Sequence, residues 1–235
     1  MVKTRFGAAM GLLAVAVGLS VSGTARAGLV VYNDAASFQA ATAVLSVSTI
    51  EFEGIAPERG AADFGAGGRV EFSGVAFSTT PNAALSVTDA RYWLDHGLGS
   101  AGPYYNLGSG AFLEVDGGPP ASLNIALPTG IVAVGFLVGT FDAPKSGVTI
   151  TLSTGESLVA SAPYPTAAFV GIVSDAPLAW INLTVTEGNI RSTLAVDSFA
   201  FGLAETQAVP EPSSLALLAL GGAALALLAR RRRAG

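Results

Sequence analysis

The sequence contains no cysteine and a single histidine, His96, among its 235 residues. The absence of cysteine excludes a thiol nucleophile, a zinc–cysteine site, an iron–sulfur cluster and a disulfide. One histidine excludes metal sites built from several histidines. The chain also lacks the G-x-S-x-G turn of a serine hydrolase, and no repeat with a period of about 20 to 50 residues is visible. The fold must therefore be stabilised by burial of its core, and the usual catalytic groups are few.

Basic residues are scarce between the two ends of the chain. Residues 28–209 contain five basic and sixteen acidic residues, because seven of the twelve basic residues lie in the terminal segments. An acidic surface of this kind disfavours nucleic acid and anionic polymers as partners. It leaves carboxylates available for divalent cations.

The N-terminus has the three parts of a secretory signal peptide. Lys3 and Arg5 precede an apolar stretch, and Ala25-Arg26-Ala27 has the small-x-small pattern of a cleavage site. We therefore predict that residues 1–27 are a signal peptide cut after Ala27. A retained N-terminal transmembrane helix is the alternative.

Strands dominate the pattern of the region between the ends. Residues 122–127, 148–152 and 181–186 alternate apolar and polar side chains, as half-buried strands do, whereas residues 131–138 are apolar on both faces. Further candidate strands are residues 48–53, 69–78, 84–88, 111–116, 156–161, 167–173 and 194–202. One short helix is predicted from residue 35, capped by Asn33 or Asp34. The sequence thus predicts an all-β, antiparallel, jelly-roll-like sandwich over residues 28–208, with one short N-terminal helix.

The C-terminal segment is apolar and then strongly basic. Residues 213–229 contain no charged side chain, and a helix of that length spans about 25 Å, which is short for a hydrocarbon core of about 30 Å. The cluster of Arg230, Arg231, Arg232 and Arg233 follows, and clustered arginines stay on the cytoplasmic side. A transmembrane helix over residues 213–229 is predicted, with the preceding domain outside the cytoplasmic membrane.

Three residues directly before this helix complete a known pattern. Pro210, Glu211 and Pro212, the apolar helix and the arginine cluster follow one another, so that residues 209–235 resemble the PEP-CTERM sorting signal of Gram-negative bacteria. The resemblance implies a transient membrane anchor and processing by exosortase, a membrane-embedded cysteine transpeptidase that cuts near the PEP motif. It also implies a cell-surface or secreted protein linked to exopolysaccharide and biofilm. A plain C-terminal anchor is the alternative.

The region between the ends more loosely resembles the β-sandwich ectodomains that often precede such signals. The similar stretches are residues 50–54, 134–136, 169–174 and 197–202. They are short, and what they imply is the fold.

Asp197 is a candidate metal ligand. A period of two places it on one face with Phe199 and Phe201, and a carboxylate entering a core requires a cation or hydrogen-bond donors. Carbohydrate-binding jelly rolls are similar in this respect, because a calcium ion often joins acidic residues of the last and an early strand. Glu51 and Glu53 are the early candidates for a structural Ca²⁺ site. An exposed strand end, or pairing of Asp197 with Arg191 or backbone amides, is the simpler alternative.

The segment 91–106 is a candidate glycan-binding loop. It is rich in glycine and holds aromatic, acidic and imidazole side chains of the kind that stack on sugar rings and bind sugar hydroxyls. The candidate residues are Tyr92, Trp93, Asp95, His96, Tyr104 and Tyr105. The alternative is that these aromatics close the end of the sandwich as a hydrophobic plug.

No catalytic group is predicted. The carboxylate pairs Glu51/Glu53 and Glu114/Asp116 have a spacing that a glycosidase can use, but alternating acids on a solvated strand face explain them more simply. The leading interpretation is an exported, non-catalytic structural or adhesive protein of an exopolysaccharide matrix. A calcium-stabilised, lectin-like module is the second hypothesis, and an extracellular glycan hydrolase is a remote third.

Overall fold

The computed structural model describes residues 28–92, 107, 110–117, 120–140, 147–162, 167–185 and 192–204. These residues contain one helix, α1 (Ala35–Ala41), and fourteen strands. The strands are β1 (Leu29–Tyr32), β2 (Ser46–Ile50), β3 (Ala61–Ala66), β4 (Arg69–Phe72), β5 (Val75–Thr79), β6 (Ala83–Asp89), β7 (Ala111–Gly117), β8 (Ala121–Ala126), β9 (Ile131–Thr140), β10 (Gly147–Leu152), β11 (Ser157–Ser161), β12 (Ala168–Ser174), β13 (Trp180–Val185) and β14 (Ser192–Leu203). The predicted all-β class with one short helix is confirmed.

The strands form two sheets that pack face to face. The large sheet has eight strands in the order β1-β12-β9-β14-β7-β6-β3, with β2 also paired to β14. The small sheet has six strands in the order β11-β10-β13-β8-β5-β4. Every strand pairing within the described ranges is antiparallel. The predicted sandwich is therefore confirmed, and the jelly-roll assignment within that class stays a prediction.

Alternation along the strands builds the core between the sheets. In β13, Ile181, Leu183 and Val185 are fully buried, whereas the residues between them are partly exposed. β8 and β10 alternate in the same way. Burying each such aliphatic side chain stabilises the fold by about 1.5–3 kcal/mol. At the centre of the core the Phe199 ring lies 5.4 Å from Phe77 and 5.8 Å from Phe136, between centroids.

Helix α1 packs on the outer face of the large sheet. Asp34 caps the helix, because its Oδ1 accepts a hydrogen bond from the Ser37 amide at 2.8 Å. Phe38, the buried residue of α1, lies over Gly135 of β9 and Gly171 of β12, which pair directly across the two strands. A Cβ atom at either glycine would lie 2.6 Å from the Phe38 ring. The two glycines thus form the hollow that holds the helix, and β9 is covered on both faces, as its continuous apolar pattern predicts.

The strands differ from the sequence predictions in three places. The pattern of residues 69–78 predicts one strand, but a turn at Ser73 and Gly74, with φ of 50° and 80°, divides it into the hairpin of β4 and β5. β1 and β3 are additional strands at the two edges of the large sheet. The sequence of β3, AADFGA, has low strand propensity. The segment forms a strand because it pairs with β6.

No helix in the described ranges has the length and apolar character needed to cross a membrane. The predicted span at residues 213–229 lies outside those ranges.

Candidate functional site

A polar cleft opens on the outer face of the large sheet, across β3, β6 and β7. It has a volume of about 380 Å³. The register aligns Asp63, Ser86 and Glu114 in one row across the three strands, because Asp63 pairs with Ser86 and Ser86 pairs with Glu114. The complete lining is Ala61, Asp63, Ala84, Ser86, Thr88, Tyr92, Glu114 and Asp116. We call this site the polar cleft.

The strand period explains why polar groups collect in the polar cleft. In β7, Leu113 and Val115 are in the core, so Glu114 and Asp116 point to the opposite face. In β6, Leu85 and Val87 are in the core, and their polar neighbours likewise point outward. The same alternation that builds the core therefore builds a polar surface at this end of the sheet.

Glu114 lies at the floor of the polar cleft and is only 3% exposed. Its Oε2 accepts a hydrogen bond of 2.8 Å from the Thr88 hydroxyl, and the Ser86 hydroxyl lies 3.2 Å from that of Thr88. The alternating acids of β7 were predicted to face solvent, and for Glu114 this is wrong. The carboxylate is buried because neighbouring strands and the Thr88 hydroxyl surround it, which the sequence of β7 alone does not reveal.

An ion-pair network anchors the chain where it enters the candidate glycan-binding loop. Asp89, at the end of β6, accepts hydrogen bonds from the Arg91 amide at 2.8 Å and from its guanidinium at 2.8 and 3.0 Å. Glu58 binds the same guanidinium at 3.1 Å. The hydrogen bonds from Arg91 lower the pKa of Asp89 to about 2. This network fixes the backbone next to Tyr92, which lines the polar cleft.

Tyr92 is the member of the predicted glycan-binding set that the structure describes. It joins a cleft that also contains Glu114 and Asp116, a pair noted in the sequence, and three polar residues that the sequence does not predict as site residues, Asp63, Ser86 and Thr88. The remaining predicted residues, Trp93, Asp95, His96, Tyr104 and Tyr105, lie outside the described ranges. No local motif identifies the missed residues, because they meet only through the pairing of β3, β6 and β7.

The three predicted metal ligands lie at a break in the large sheet. On one side of β14, β7 pairs with residues up to Val196 and β2 pairs from Phe199 onward. Asp197 and Ser198 occupy the gap between these partners. The Ser198 hydroxyl donates to Glu51 at 3.3 Å, and the Glu53 side chain lies against Gly110. We call Asp197, Glu51 and Glu53 the carboxylate junction.

A β-bulge changes the face on which Asp197 lies. Pairing with β9 shifts register between Asp197 and Ala200, and Ser198 has a φ of 50°. Val196 and Phe199, three positions apart, therefore both reach the core. The prediction that Asp197 shares a face with Phe199 and Phe201 is wrong, because Asp197 lies opposite Leu137, on the outer face.

Asp197 is nonetheless buried, with 3% of its surface exposed. Burial raises the pKa of Asp197 to about 7, the Ser198 amide at 2.7 Å opposes this shift, and the charges of Glu53 and Glu51 add to it. Among the described residues no group of three or more acidic or histidine side chains has the arrangement of a metal site. Calcium binding at the carboxylate junction stays a prediction.

A second, larger groove runs between α1 and β2. Its volume is about 650 Å³, and its lining is mainly apolar, with Phe38, Leu45, Val47 and Leu137 among the contributing residues. The Phe38 ring is occupied in holding the helix on the sheet. We call it the α1 groove, and its polar lining residues are Gln39, Thr42, Thr49, Glu51 and Ser198.

The C-terminal segment is the part of the chain that matches a known family model. Residues 208–233 match the family model of the PEP-CTERM protein-sorting motif. The C-terminus of this chain is a PEP-CTERM sorting motif. Proteins that carry a PEP-CTERM motif are exported, so the chain is an exported protein. The predicted motif residues, Pro210 to Pro212 and Arg230 to Arg233, fall inside the match and outside the residues that the structure describes.

Solved structures with a similar shape include several carbohydrate-binding modules. A variant of the family 29 module CBM29-2 is 10% identical, with 66% of this chain and 90% of that chain covered and a TM-score of 0.31. TmCBM61, determined in complex with β-1,4-galactotriose, is 17% identical, with 57% and 91% covered and a TM-score of 0.34. Similarity this low does not identify a ligand for this chain. No curated protein matches it.

Proposed function

We propose that the chain is a cell-surface or extracellular-matrix protein that binds polysaccharide through the polar cleft and has no catalytic activity. Exosortase would process its C-terminal segment after a transient membrane stage, leaving the sandwich at the surface. The observation that carries the binding proposal is the position of Tyr92 beside the row of Asp63, Ser86 and Glu114. An aromatic ring next to hydroxyl and carboxylate groups is the combination that binds a sugar ring and its hydroxyls.

The charge of the polar cleft restricts the class of polysaccharide. Asp63, Glu114 and Asp116 line it, and no basic residue is among its described lining residues. Carboxylates accept hydrogen bonds from sugar hydroxyls but repel uronic acids and sulfated sugars. A neutral polysaccharide is therefore the expected ligand, and an acidic one is disfavoured.

Binding is tested with residues 28–209, which include every strand pairing described above. Affinity electrophoresis in gels containing neutral or acidic exopolysaccharide should show retardation of the wild type by the neutral polymer. Tyr92→Ala and Asp116→Asn should weaken binding about tenfold or more, the effect of losing about 1.4 kcal/mol. Glu71→Gln, an exposed acid on β4 of the small sheet, is the charge-matched control and should bind as the wild type does.

Three other results would contradict the proposal in different ways. No retardation by any polymer favours a purely structural matrix role. Release of reducing ends from a glycan panel would establish a hydrolase. Equal binding by wild type, Tyr92→Ala and Asp116→Asn would place the binding surface elsewhere.

Sorting is tested separately in the native host. Fractionation of cells and medium, with mass spectrometry of the C-terminus, should find the mature chain ending near Pro210 to Pro212. Glu211→Ala should leave the uncut chain in the membrane fraction. A full-length chain at the surface of wild-type cells would instead support a plain anchor.

A further inference from the structure

Gly28, the first residue that the structure describes, is bonded to Asp175 in two ways. The Gly28 nitrogen lies 3.1 Å from Oδ2 of Asp175, and the Gly28 carbonyl accepts a hydrogen bond of 3.0 Å from the Asp175 amide. Asp175 directly follows β12, whose residue Ser174 pairs with Leu29 of β1. This contact closes the ladder that holds β1 on the edge of the large sheet.

Glycine at position 28 leaves room for the Asp175 carboxylate in its observed position. A Cβ atom there would lie 2.5 Å from Oδ2 of Asp175, too close for any other residue without moving the carboxylate. Glycine thus allows a carboxylate to approach the nitrogen of residue 28.

The same nitrogen is the one that the predicted signal-peptide cleavage would release. Hydrolysis of the peptide bond between Ala27 and Gly28 breaks the C–N bond, and water supplies the hydroxyl of the new Ala27 carboxyl group and a proton to the nitrogen. Residue 28 then has a primary amine, which is protonated at neutral pH because the ordinary pKa of an α-amino group is about 8.

We propose that the mature chain begins at Gly28 and that the Asp175 carboxylate binds its new ammonium group, holding β1 on the sheet more strongly than the Gly28 amide of the uncleaved chain does. Before cleavage the nitrogen is a neutral amide with one hydrogen. Afterwards it is a cation with three, and a hydrogen bond between a cation and a carboxylate is stronger than one to a neutral donor. Asp175 is in this account a positioning residue for the N-terminal strand. The inference rests on export of the chain, as the proposed function does.

Three versions of residues 28–209 test the ammonium site without reference to glycan binding. The first begins at Gly28, released from a tag by a protease that leaves no extra residue. The second retains Ala27, which moves the ammonium group by about one residue, or 3.8 Å between Cα atoms. The third is Asp175→Asn beginning at Gly28, with Glu71→Gln as a control that removes a distant acid.

Two readouts should separate these forms. In the Gly28 form, labelling of the α-amine by an amine-reactive reagent at pH 7.5 should be several-fold slower than in the other two test forms. The Asp175 carboxylate favours the protonated amine, which does not react with the reagent. Amide hydrogen exchange of Val30 and Val31 should also be slower in the Gly28 form. Glu71→Gln should match the Gly28 form in both readouts.

Equal labelling and exchange in the Gly28 and Ala27 forms would overturn the inference, as would an Asp175→Asn variant that behaves as the wild type. Mass spectrometry of the exported chain must find Gly28 as its first residue, and any other first residue would also overturn the inference. Because none of these measurements includes a polysaccharide, failure here is distinguishable from failure of the glycan-binding proposal.

Discussion

The outer face of the large sheet has two halves with opposite chemistry. Over β12, β9 and β14 the outward positions are occupied by Gly171, Gly135 and Ala200, and α1 packs into the hollow they leave. Over β7, β6 and β3 the outward positions hold carboxylates and hydroxyls, and they form the polar cleft. Both halves share one core with the small sheet. The comparison shows that the inward residues establish the sandwich, whereas the outward residues decide whether a region is covered or available for binding.

Filling the hollow under α1 should lower the stability of the fold more than any other change proposed here. Gly135→Ala places a methyl group against the Phe38 ring, and we expect unfolding to require about 1–3 kcal/mol less, measured by chemical denaturation. Gly139→Ala is the matched control on the same strand, because its Cβ would lie 3.5 Å from Leu107, an ordinary contact. When Phe38 is already replaced by alanine, Gly135→Ala should lower the free energy of unfolding by less than it does in the wild type, because the ring it clashes with is gone. Equal losses at positions 135 and 139 would contradict this account of how the helix is held.

The carboxylate junction lies between the two halves and should depend on pH. Because the folded state raises the pKa of Asp197 to about 7, its stabilising contribution is complete below the ordinary pKa of about 3.9 and is lost as pH rises to about 7. Asp197→Asn removes this loss. Its melting temperature relative to the wild type should therefore increase between pH 4 and pH 7 and stay constant above.

Calcium would reverse this pattern. In chelator the pH dependence above should hold, whereas a bound Ca²⁺ would stabilise the ionised carboxylate and make Asp197→Asn less stable than the wild type at pH 7. Melting curves with chelator and with added calcium distinguish the two cases. A difference in melting temperature between Asp197→Asn and the wild type that changes neither with pH nor with calcium would contradict both the pH dependence and the calcium site.

The open half should show a smaller effect when a single hydrogen bond at its floor is removed. Thr88→Val keeps the shape of the side chain but removes the donor to Glu114, and we expect a loss of about 1–2 kcal/mol in denaturant. Thr149→Val on β10, half-buried on the outer face of the small sheet, is the control and should change stability by less than about 0.5 kcal/mol. A loss at Thr88 no larger than that at Thr149 would mean that the buried carboxylate does not depend on this hydroxyl.

The core of the sandwich and the outer face of the large sheet differ in how far the sequence predicts them. Strict alternation in β8, β10 and β13 identifies their core residues, and the double-faced apolar run of β9 predicts its central position. By contrast, the bulge at Ser198 is invisible in a pattern of period two, so the face of Asp197 is predicted wrongly. The row of Asp63, Ser86 and Glu114 depends on strand pairing between distant segments, which no local pattern contains. Tyr92 could be identified because aromatic residues are concentrated in its segment.

Binding of neutral exopolysaccharide by variants of the two halves tests the central claim most directly. In affinity electrophoresis or calorimetry of residues 28–209, Tyr92→Ala and Asp116→Asn in the polar cleft should bind about tenfold more weakly than the wild type, or weaker still. Gln39→Ala, in the α1 groove, should bind as the wild type does. Loss of binding in Gln39→Ala with full binding in the two cleft variants would contradict the account, because it would place the ligand on the apolar half.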